Sequence, residues 1–290
     1  MGVDGRFFGR GDNQRASVGF GIPRFTGAKD HRPAADVMIA GRRDAPHRAP
    51  HRLQAQWLYA GHQGHVIRPS TCRVDQHSTA MDVALAGAHG PAKPGAVNLD
   101  DLGIADDLAA KGFVALCPDL FWRIEPGIQI TDQTQAEWDR AFELFGLFDV
   151  DKGMDDVQAA ITHLRGVDGV TGKVGTVGYC LGGKLAYLSA TRTDADAAVG
   201  YYGVNIAADL EEADAITKPL MLHIAEKDEF VDHAAQAEMH KALDDHRQIT
   251  LHDYVGMDHA FARVGGAHFD KANAELANSR TADFFQSTLK

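Results

Sequence analysis

The stretch Lys173–Lys184, which reads KVGTVGYCLGGK, limits the possible folds more than any other part of the chain. It begins with Val174, Thr176 and Val177, and β-branched residues in a short apolar run favour a β-strand. Glycines then surround Cys180, and a segment compatible with a helix follows. We therefore predict a strand, a sharp turn with Cys180 at its tip, and a helix.

Two interpretations of Cys180 are open at this point. Free cysteines are among the most buried residue types, so Cys180 can be a small hydrophobic core residue. The order G-x-C-x-G between a strand and a helix instead has the layout of a nucleophile elbow, in which serine usually occupies the tip. Glycines permit the tight bend, and a helix N-terminus favours a thiolate. The second interpretation predicts a reactive cysteine.

Composition limits the class of protein. With 290 residues, of which 44% are hydrophobic, the chain can bury a full core, and we expect one large α/β domain with additional sequence. The net charge of -11 argues against a nucleic-acid-binding surface. Cys72, Cys117 and Cys180 form no C-x-x-C pair, so we predict neither disulfides nor a metal site. No export signal and no run of eighteen apolar residues occurs, which predicts a cytoplasmic protein without membrane contact.

The first part of the chain differs in composition from the rest. Residues 1–100 contain 13 Lys and Arg, 8 Asp and no Glu, whereas the remaining residues are strongly acidic. Residues 1–80 lack sustained periodicity, so we predict a poorly ordered or atypical extension there and a catalytic domain over residues 81–290. Two alternatives are a basic arm for an acidic partner and a segment that is not evolved coding sequence. The histidines of this segment match no metal-ligand spacing.

Strands and helices are predicted to alternate through the domain. The alternation predicts a mostly parallel, doubly wound sheet with helices on both faces and ligands at the carboxyl ends of the strands. The predicted strands are Met81–Ala86, Phe113–Cys117, the strand before Cys180, Ala198–Tyr202, Leu220–Ala225 and Ile249–Tyr254. The predicted helices are Ile104–Gly112, one opened by the capping-box sequence Thr134–Glu137, Asp151–Arg165, Ala234–Leu243 and Lys271–Phe285.

A nucleophile requires a base, and the base requires an acid that orients it. On folds that carry a nucleophile elbow these partners follow in the order acid and then histidine, each after a strand. Asp228 follows the predicted strand Leu220–Ala225, and His259 follows Ile249–Tyr254. Either residue can instead be an ordinary loop residue, with Glu226 and Asp232 as alternative acids. The order Cys180, Asp228, His259 nevertheless predicts a catalytic triad.

Several motifs together resemble the dienelactone hydrolase (carboxymethylenebutenolidase) family from about Met81 to the C-terminus. They are Gly178–Gly183, Gly200–Gly203, Cys117–Arg123, Asp228 and His259–Arg263. The resemblance implies an α/β-hydrolase-like fold and an enzyme of aromatic compound degradation that opens a small lactone or ester bearing a carboxylate. It also implies a thioester acyl-enzyme, no cofactor, and a small molecule as the only partner. We expect a monomer.

The resemblance also implies roles for individual residues. Cys180 is expected to be the nucleophile, His259 its base and Asp228 the orienting acid. Arg123 and Arg263 match the two arginines that hold the substrate carboxylate, and a guanidinium can bind a carboxylate through two hydrogen bonds. The backbone N–H of Leu181, with one from the loop after an earlier strand, is expected to bind the oxyanion. Alternatives are a general esterase or thioesterase and an impaired member that only binds a carboxylate ligand.

The sequence departs from the family pattern at a central early strand. The family has a hydrophobic strand followed by a Q-E-I-F-G-like segment, but here only Ala96 and Val97 remain of it, and no glutamate precedes Glu125. Asp100 or Asp101 is a candidate substitute for the family's glutamate. Unpaired backbone groups in a sheet cost about 1–3 kcal/mol each when buried. We therefore predict that an N-terminal segment replaces the strand or that the enzyme is impaired.

Overall fold

The computed structural model of the chain describes residues 36–43, 99–126, 128, 130, 134–167 and 170–290. The strands are β1 (Asp36–Arg43), β2 (Phe113–Leu116), β3 (Val170–Tyr179), β4 (Ala197–Tyr201), β5 (Leu220–Ala225) and β6 (Ile249–Tyr254). The helices are α1 (Leu99–Ala110), α2 (Gln135–Leu147), α3 (Val150–Arg165), α4 (Leu181–Arg192), α5 (His233–Leu243) and α6 (Lys271–Thr288), with a 3-10 helix at Ile206–Ala215. The predicted strand Met81–Ala86 lies outside the described residues.

The described strands form one mixed sheet in the order β2-β1-β3-β4-β5-β6, flanked by helices. β3, β4, β5 and β6 run parallel to one another, which confirms the predicted α/β class. β4 and β5 are buried along their whole length, as expected for parallel strands covered on both faces. The carboxyl ends of β3, β4, β5 and β6 therefore lie at one edge of the sheet.

Local sequence signals account for several element boundaries. Thr134 caps α2 by accepting a hydrogen bond from the backbone of Glu137, whose carboxylate accepts one from the Thr134 N–H, so the predicted capping box is present. Asp149 caps α3 in a similar way. α3 buries Met154, Val157, Ile161 and Leu164, whose spacing of three and four residues places them on one helix face. The boundaries thus follow from the sequence to within a few residues, except at α1.

Strand β1 was not predicted and lies inside the sheet, second from one edge. It lies antiparallel between β2 and β3, and Ile39 is paired with Leu116 on one side and Thr176 on the other. Met38, Ile39 and Ala40 are fully buried. An N-terminal segment therefore occupies the place where a central strand was expected to be missing or replaced. β1 falls within residues 1–80, for which a poorly ordered or atypical extension was predicted; the rest of that segment lies outside the described part of the chain.

The direction of β1 changes what it can contribute to the catalytic edge. Because β1 is antiparallel to β3, its first residue, Asp36, pairs with Tyr179, and Arg43 pairs with Val170 at the opposite edge. The carboxyl end of β1 therefore lies at the edge of the sheet opposite Cys180. The candidate acids Asp100 and Asp101 lie in the first turn of α1.

One buried hydroxyl in β3 gives a stability prediction. Thr176 is fully buried, and its Oγ1 has no hydrogen-bond partner among the described residues. Replacing this hydroxyl by a methyl group removes an unsatisfied polar atom, so Thr176→Val should stabilise the fold by about 1 kcal/mol. Urea unfolding should show a higher midpoint with an unchanged slope.

The same substitution at Thr281 provides the control. Thr281 is also buried, but its hydroxyl is 2.6 Å from the Tyr201 hydroxyl and 3.0 Å from His223 Nε2. Thr281→Val leaves both partners without this contact and should lower the unfolding free energy by about 1–3 kcal/mol. An equal decrease in both variants would show that the Thr176 hydroxyl contributes to stability after all.

Candidate active site

The turn between β3 and α4 holds Cys180 in a strained backbone conformation. Its φ of 55° and ψ of -115° lie in a region that non-glycine residues rarely adopt. Its N–H donates to Tyr201 O at 3.1 Å, and its carbonyl accepts from Lys184 N and Val204 N, both at 3.2 Å. These three hydrogen bonds keep the Cys180 backbone in this strained conformation. Cys180 is 6% exposed, and it is the residue immediately before the first residue of a helix, as the elbow motif predicts.

Two glycines of the elbow permit its close packing. A Cβ atom at Gly178 would lie 2.0 Å from Gly182 O, and one at Gly183 would lie 2.6 Å from Tyr201 O. Both distances are far below any tolerated contact, and both involve backbone atoms that cannot rotate away. The glycines are therefore required for α4 to start directly above the sheet with Cys180 at its N-terminus.

Asp228 and His259 meet at the same edge of the sheet. Asp228 follows β5 and is buried; its Oδ1 accepts from Phe230 N at 2.8 Å and from Val231 N at 3.3 Å. Its Oδ2 lies 2.8 Å from His259 Nδ1. His259 follows β6, is 3% exposed, and interacts with the side chain of Cys180, which raises its pKa. The three predicted residues thus form one connected chain of side chains.

The charge state of His259 depends on both of its neighbours. Burial lowers its pKa, but the interactions with Cys180 and Asp228 outweigh this effect and raise the pKa to about 10. A buried imidazolium is stabilised only while it has anionic or hydrogen-bonding partners. The arrangement therefore favours an imidazolium between the sulfur and the carboxylate at neutral pH.

Two aromatic rings that the sequence analysis did not single out enclose His259. The rings of Tyr202 and Phe230 lie edge-on to the imidazole, with centroid distances of 4.9 and 4.8 Å. Tyr202 directly follows β4 and has a positive φ of 37°, and Phe230 follows Asp228 by two residues. Both residues follow strands that end at the catalytic edge, and this position is the sequence signal that could have identified them. These rings fix the plane of the imidazole and shield it from water.

Arg123 is engaged by another carboxylate. It follows β2, which runs in the same direction as β3, but its Nε and Nη2 bind Asp156 of α3 at 2.8 and 2.7 Å. The guanidinium also lies 4.5 Å from the ring centroid of Trp122. The hydrogen bond to Asp156 raises the pKa of Arg123. The two-nitrogen fork expected to hold a substrate carboxylate is therefore occupied.

Arg263 and Leu181 lie in segments that start at the triad. Arg263 lies four residues after His259 and is half-buried. Its backbone N–H donates to Ala260 O at 2.9 Å, and the Nη1 atom of its guanidinium is shielded from solvent. Leu181 is the first residue of α4. The N–H groups of a helix's first turn have no acceptor within the helix, so that of Leu181 is available for an anion beside the sulfur.

Neither a metal site nor a membrane span was detected in the described part of the chain. Among those residues no group of three or more His, Cys, Asp or Glu is arranged to hold a metal ion. None of the helices described there is both long enough and apolar enough to cross a membrane.

Residues 94–289 match the family model described as the dienelactone hydrolase family. This match covers more than half of the chain. The chain belongs to the dienelactone hydrolase family. It is therefore a carboxylic ester hydrolase, as predicted. Strand β1 lies outside the matched residues.

Several relatives carry names from the same family. A candidate carboxymethylenebutenolidase of Azospirillum brasilense is 45% identical over 224 residues, which cover 74% of this chain and 96% of that protein. Carboxymethylenebutenolidase 1 of Cupriavidus pinatubonensis is 38% identical over 61% of this chain and 75% of that protein. A solved structure of a candidate dienelactone hydrolase from Klebsiella pneumoniae aligns with a TM-score of 0.58 at 19% identity, over 66% of this chain and 82% of that one. The structural similarity supports the α/β-hydrolase fold.

Proposed function

We propose that this hydrolase opens a small lactone or ester that bears a carboxylate, as a dienelactone hydrolase does, through a thioester on Cys180. The observation that carries the proposal is the hydrogen bond between His259 and Asp228 beside Cys180, whose interaction with His259 raises the pKa of the imidazole, at a strained strand-to-helix turn. A nucleophile, a base and an orienting acid in this order are the parts that acyl transfer requires.

In the acylation step the sulfur of Cys180 attacks the ester carbonyl and a carbon–sulfur bond forms. The negative charge that develops on the carbonyl oxygen is stabilised by the N–H of Leu181 at the positive end of α4. The carbon–oxygen bond then breaks, and the leaving oxygen departs as an enolate or takes the proton of the imidazolium. For a lactone, the leaving group stays attached to the acyl group, so ring opening gives one product on the enzyme.

In the deacylation step His259 takes a proton from water, which attacks the thioester carbonyl and releases the sulfur. The sulfur of a thioester is neutral, so the acyl-enzyme lacks the Cys180 interactions that raise the pKa of His259. Burial, which lowers that pKa, is then opposed by Asp228 alone. Acylation itself therefore favours the neutral imidazole that a general base requires.

We assign the substrate carboxylate to Arg263. A guanidinium binds a carboxylate through charge-assisted hydrogen bonds, and Arg263 lies on the segment that carries His259. Asp156 occupies Nε and Nη2 of Arg123, which leaves Nη1 as the nitrogen through which Arg123 can contribute. The same pairing favours a second candidate function, a general esterase or thioesterase with no carboxylate requirement.

Substitution of Arg263 tests the substrate class. Arg263→Ala should raise the Michaelis constant for a carboxylate-bearing lactone by about 10-fold or more, because it removes a charge-assisted contact worth about 1.5–3 kcal/mol. The constant for a neutral aryl ester should stay unchanged. Steady-state kinetics on dienelactone beside a plain aryl ester measures both.

Arg247→Ala serves as a control, because Arg247 is exposed on the turn before β6. It should leave both Michaelis constants unchanged. Equal effects of Arg263→Ala on the two substrates would favour the general esterase. If the unmodified protein hydrolyses neither ester, the proposed activity is wrong. The remaining alternative is then an impaired family member that only binds a carboxylate ligand.

A further inference from the structure

Gln236 lies in the first turns of α5 and is nearly buried, at 8% exposure. Asp232 caps this helix immediately after the loop that carries Asp228. In a helix, side chains point back towards the N-terminus. The amide of Gln236 is therefore directed at the preceding loop, and no step of the proposed reaction uses it.

The amide nitrogen of Gln236 closes this loop at its base. We define the acid loop as residues 225–231. Gln236 Nε2 donates to the carbonyls of Ala225 and Glu226 at one end of the acid loop, both at 3.2 Å. It also donates to the carbonyl of Val231 at the other end, at 2.7 Å. One side-chain nitrogen thus joins the two ends of the segment that has Asp228 in its middle.

We propose that Gln236 is a positioning residue that acts on catalysis through Asp228, an inference that rests on the proposed function. The N–H of Val231 donates to Asp228 Oδ1, while the carbonyl of the same residue accepts from Gln236. Displacing Val231 therefore rotates the carboxylate whose other oxygen holds His259. Removing the Gln236 amide therefore makes the orientation of the His259 imidazole relative to the Cys180 sulfur less well defined. It removes no contact with the substrate.

Gln236→Met tests this inference because methionine keeps the length of the side chain and removes the donor. We expect kcat to fall by about 10- to 100-fold, as small displacements of a reacting group do, while the Michaelis constant stays within about twofold. Gln158→Met is the matched control. The Gln158 amide also bridges chain segments, donating to Thr162 and Asp194, but it does so at α3, away from the acid loop. It should lower stability and leave kcat unchanged.

A double-mutant cycle with Asp228→Asn separates positioning from general loosening of the fold. If Gln236 acts through Asp228, the double variant should be no slower than Asp228→Asn alone, because the interaction it supports is already lost. Multiplicative losses in kcat would overturn the inference, as would an unchanged kcat in Gln236→Met. A fully active Asp228→Asn would instead contradict the proposed triad, so the two failures are distinguishable.

Discussion

Cys180→Ala is expected to lower kcat/KM for ester hydrolysis by about 1000-fold or more, because no thioester can form without the sulfur. Among the described residues the other cysteine is Cys117, which follows β2 and is separated from the elbow by strand β1. Denaturing mass spectrometry after mixing with a slow ester should show an acyl adduct on the unmodified protein and none on the variant. Cys117→Ala should retain both the adduct and most of the activity.

The same variant has a second expected effect, on the titration of His259. The interactions with Cys180 raise the pKa of His259 in the folded protein, so their removal should bring it down from about 10. Because the raised pKa lies above the ordinary value of 6.5, His259 contributes stability that is complete below pH 6.5 and is lost as the pH rises towards 10. That contribution should shrink in Cys180→Ala. NMR titration of the imidazole measures it directly, and an unchanged pKa would show that the sulfur does not contact the ring.

The elbow and its partners could be predicted because their signals are local. Gly178 and Gly183 are required by close backbone contacts within the elbow and with β4, and Asp228 and His259 each follow a strand whose apolar run is visible in the sequence. Because strand order in a parallel sheet brings such loops to one edge, a few short motifs predict an arrangement that spans eighty residues.

Other features depend on contacts that the sequence does not show. The interaction of Arg123 with Asp156 joins residues 33 positions apart, and neither residue has a local pattern that predicts the other. The proposed positioning function of Gln236 likewise depends on the fold, which brings both ends of the acid loop within hydrogen-bond distance of its amide. Strand β1 was missed because Val37, Met38 and Ile39 form a short apolar run in a segment rich in Arg, Gly and Pro. A strand with so short an apolar run is stabilised by its neighbours on both sides rather than by its own propensity.

Substitutions in β1 are expected to cost a large part of the stability of the fold. Ile39 is fully buried at the centre of β1, between Leu116 and Thr176. Ile39→Ala should lower the unfolding free energy by about 2–5 kcal/mol through the cavity it leaves. Ile39→Asp buries a carboxylate without a partner and should cost more, which approaches the whole of a typical stability of about 5–15 kcal/mol. Chemical unfolding followed by circular dichroism measures both values.

Leu276→Asp provides the control, because Leu276 is 45% exposed on α6 and should tolerate the charge within about 0.5 kcal/mol.

Hydrolytic activity gives an independent test of whether β1 is required. β1 pairs with β3 up to Tyr179, the residue before Cys180, so a chain without β1 leaves backbone groups beside the elbow unpaired. Deletion of residues 1–43 should therefore abolish hydrolysis together with folding. A deleted chain that unfolds at the same temperature and hydrolyses esters at the same rate would show that β1 is dispensable, because the sheet would then have to close between β2 and β3 without it.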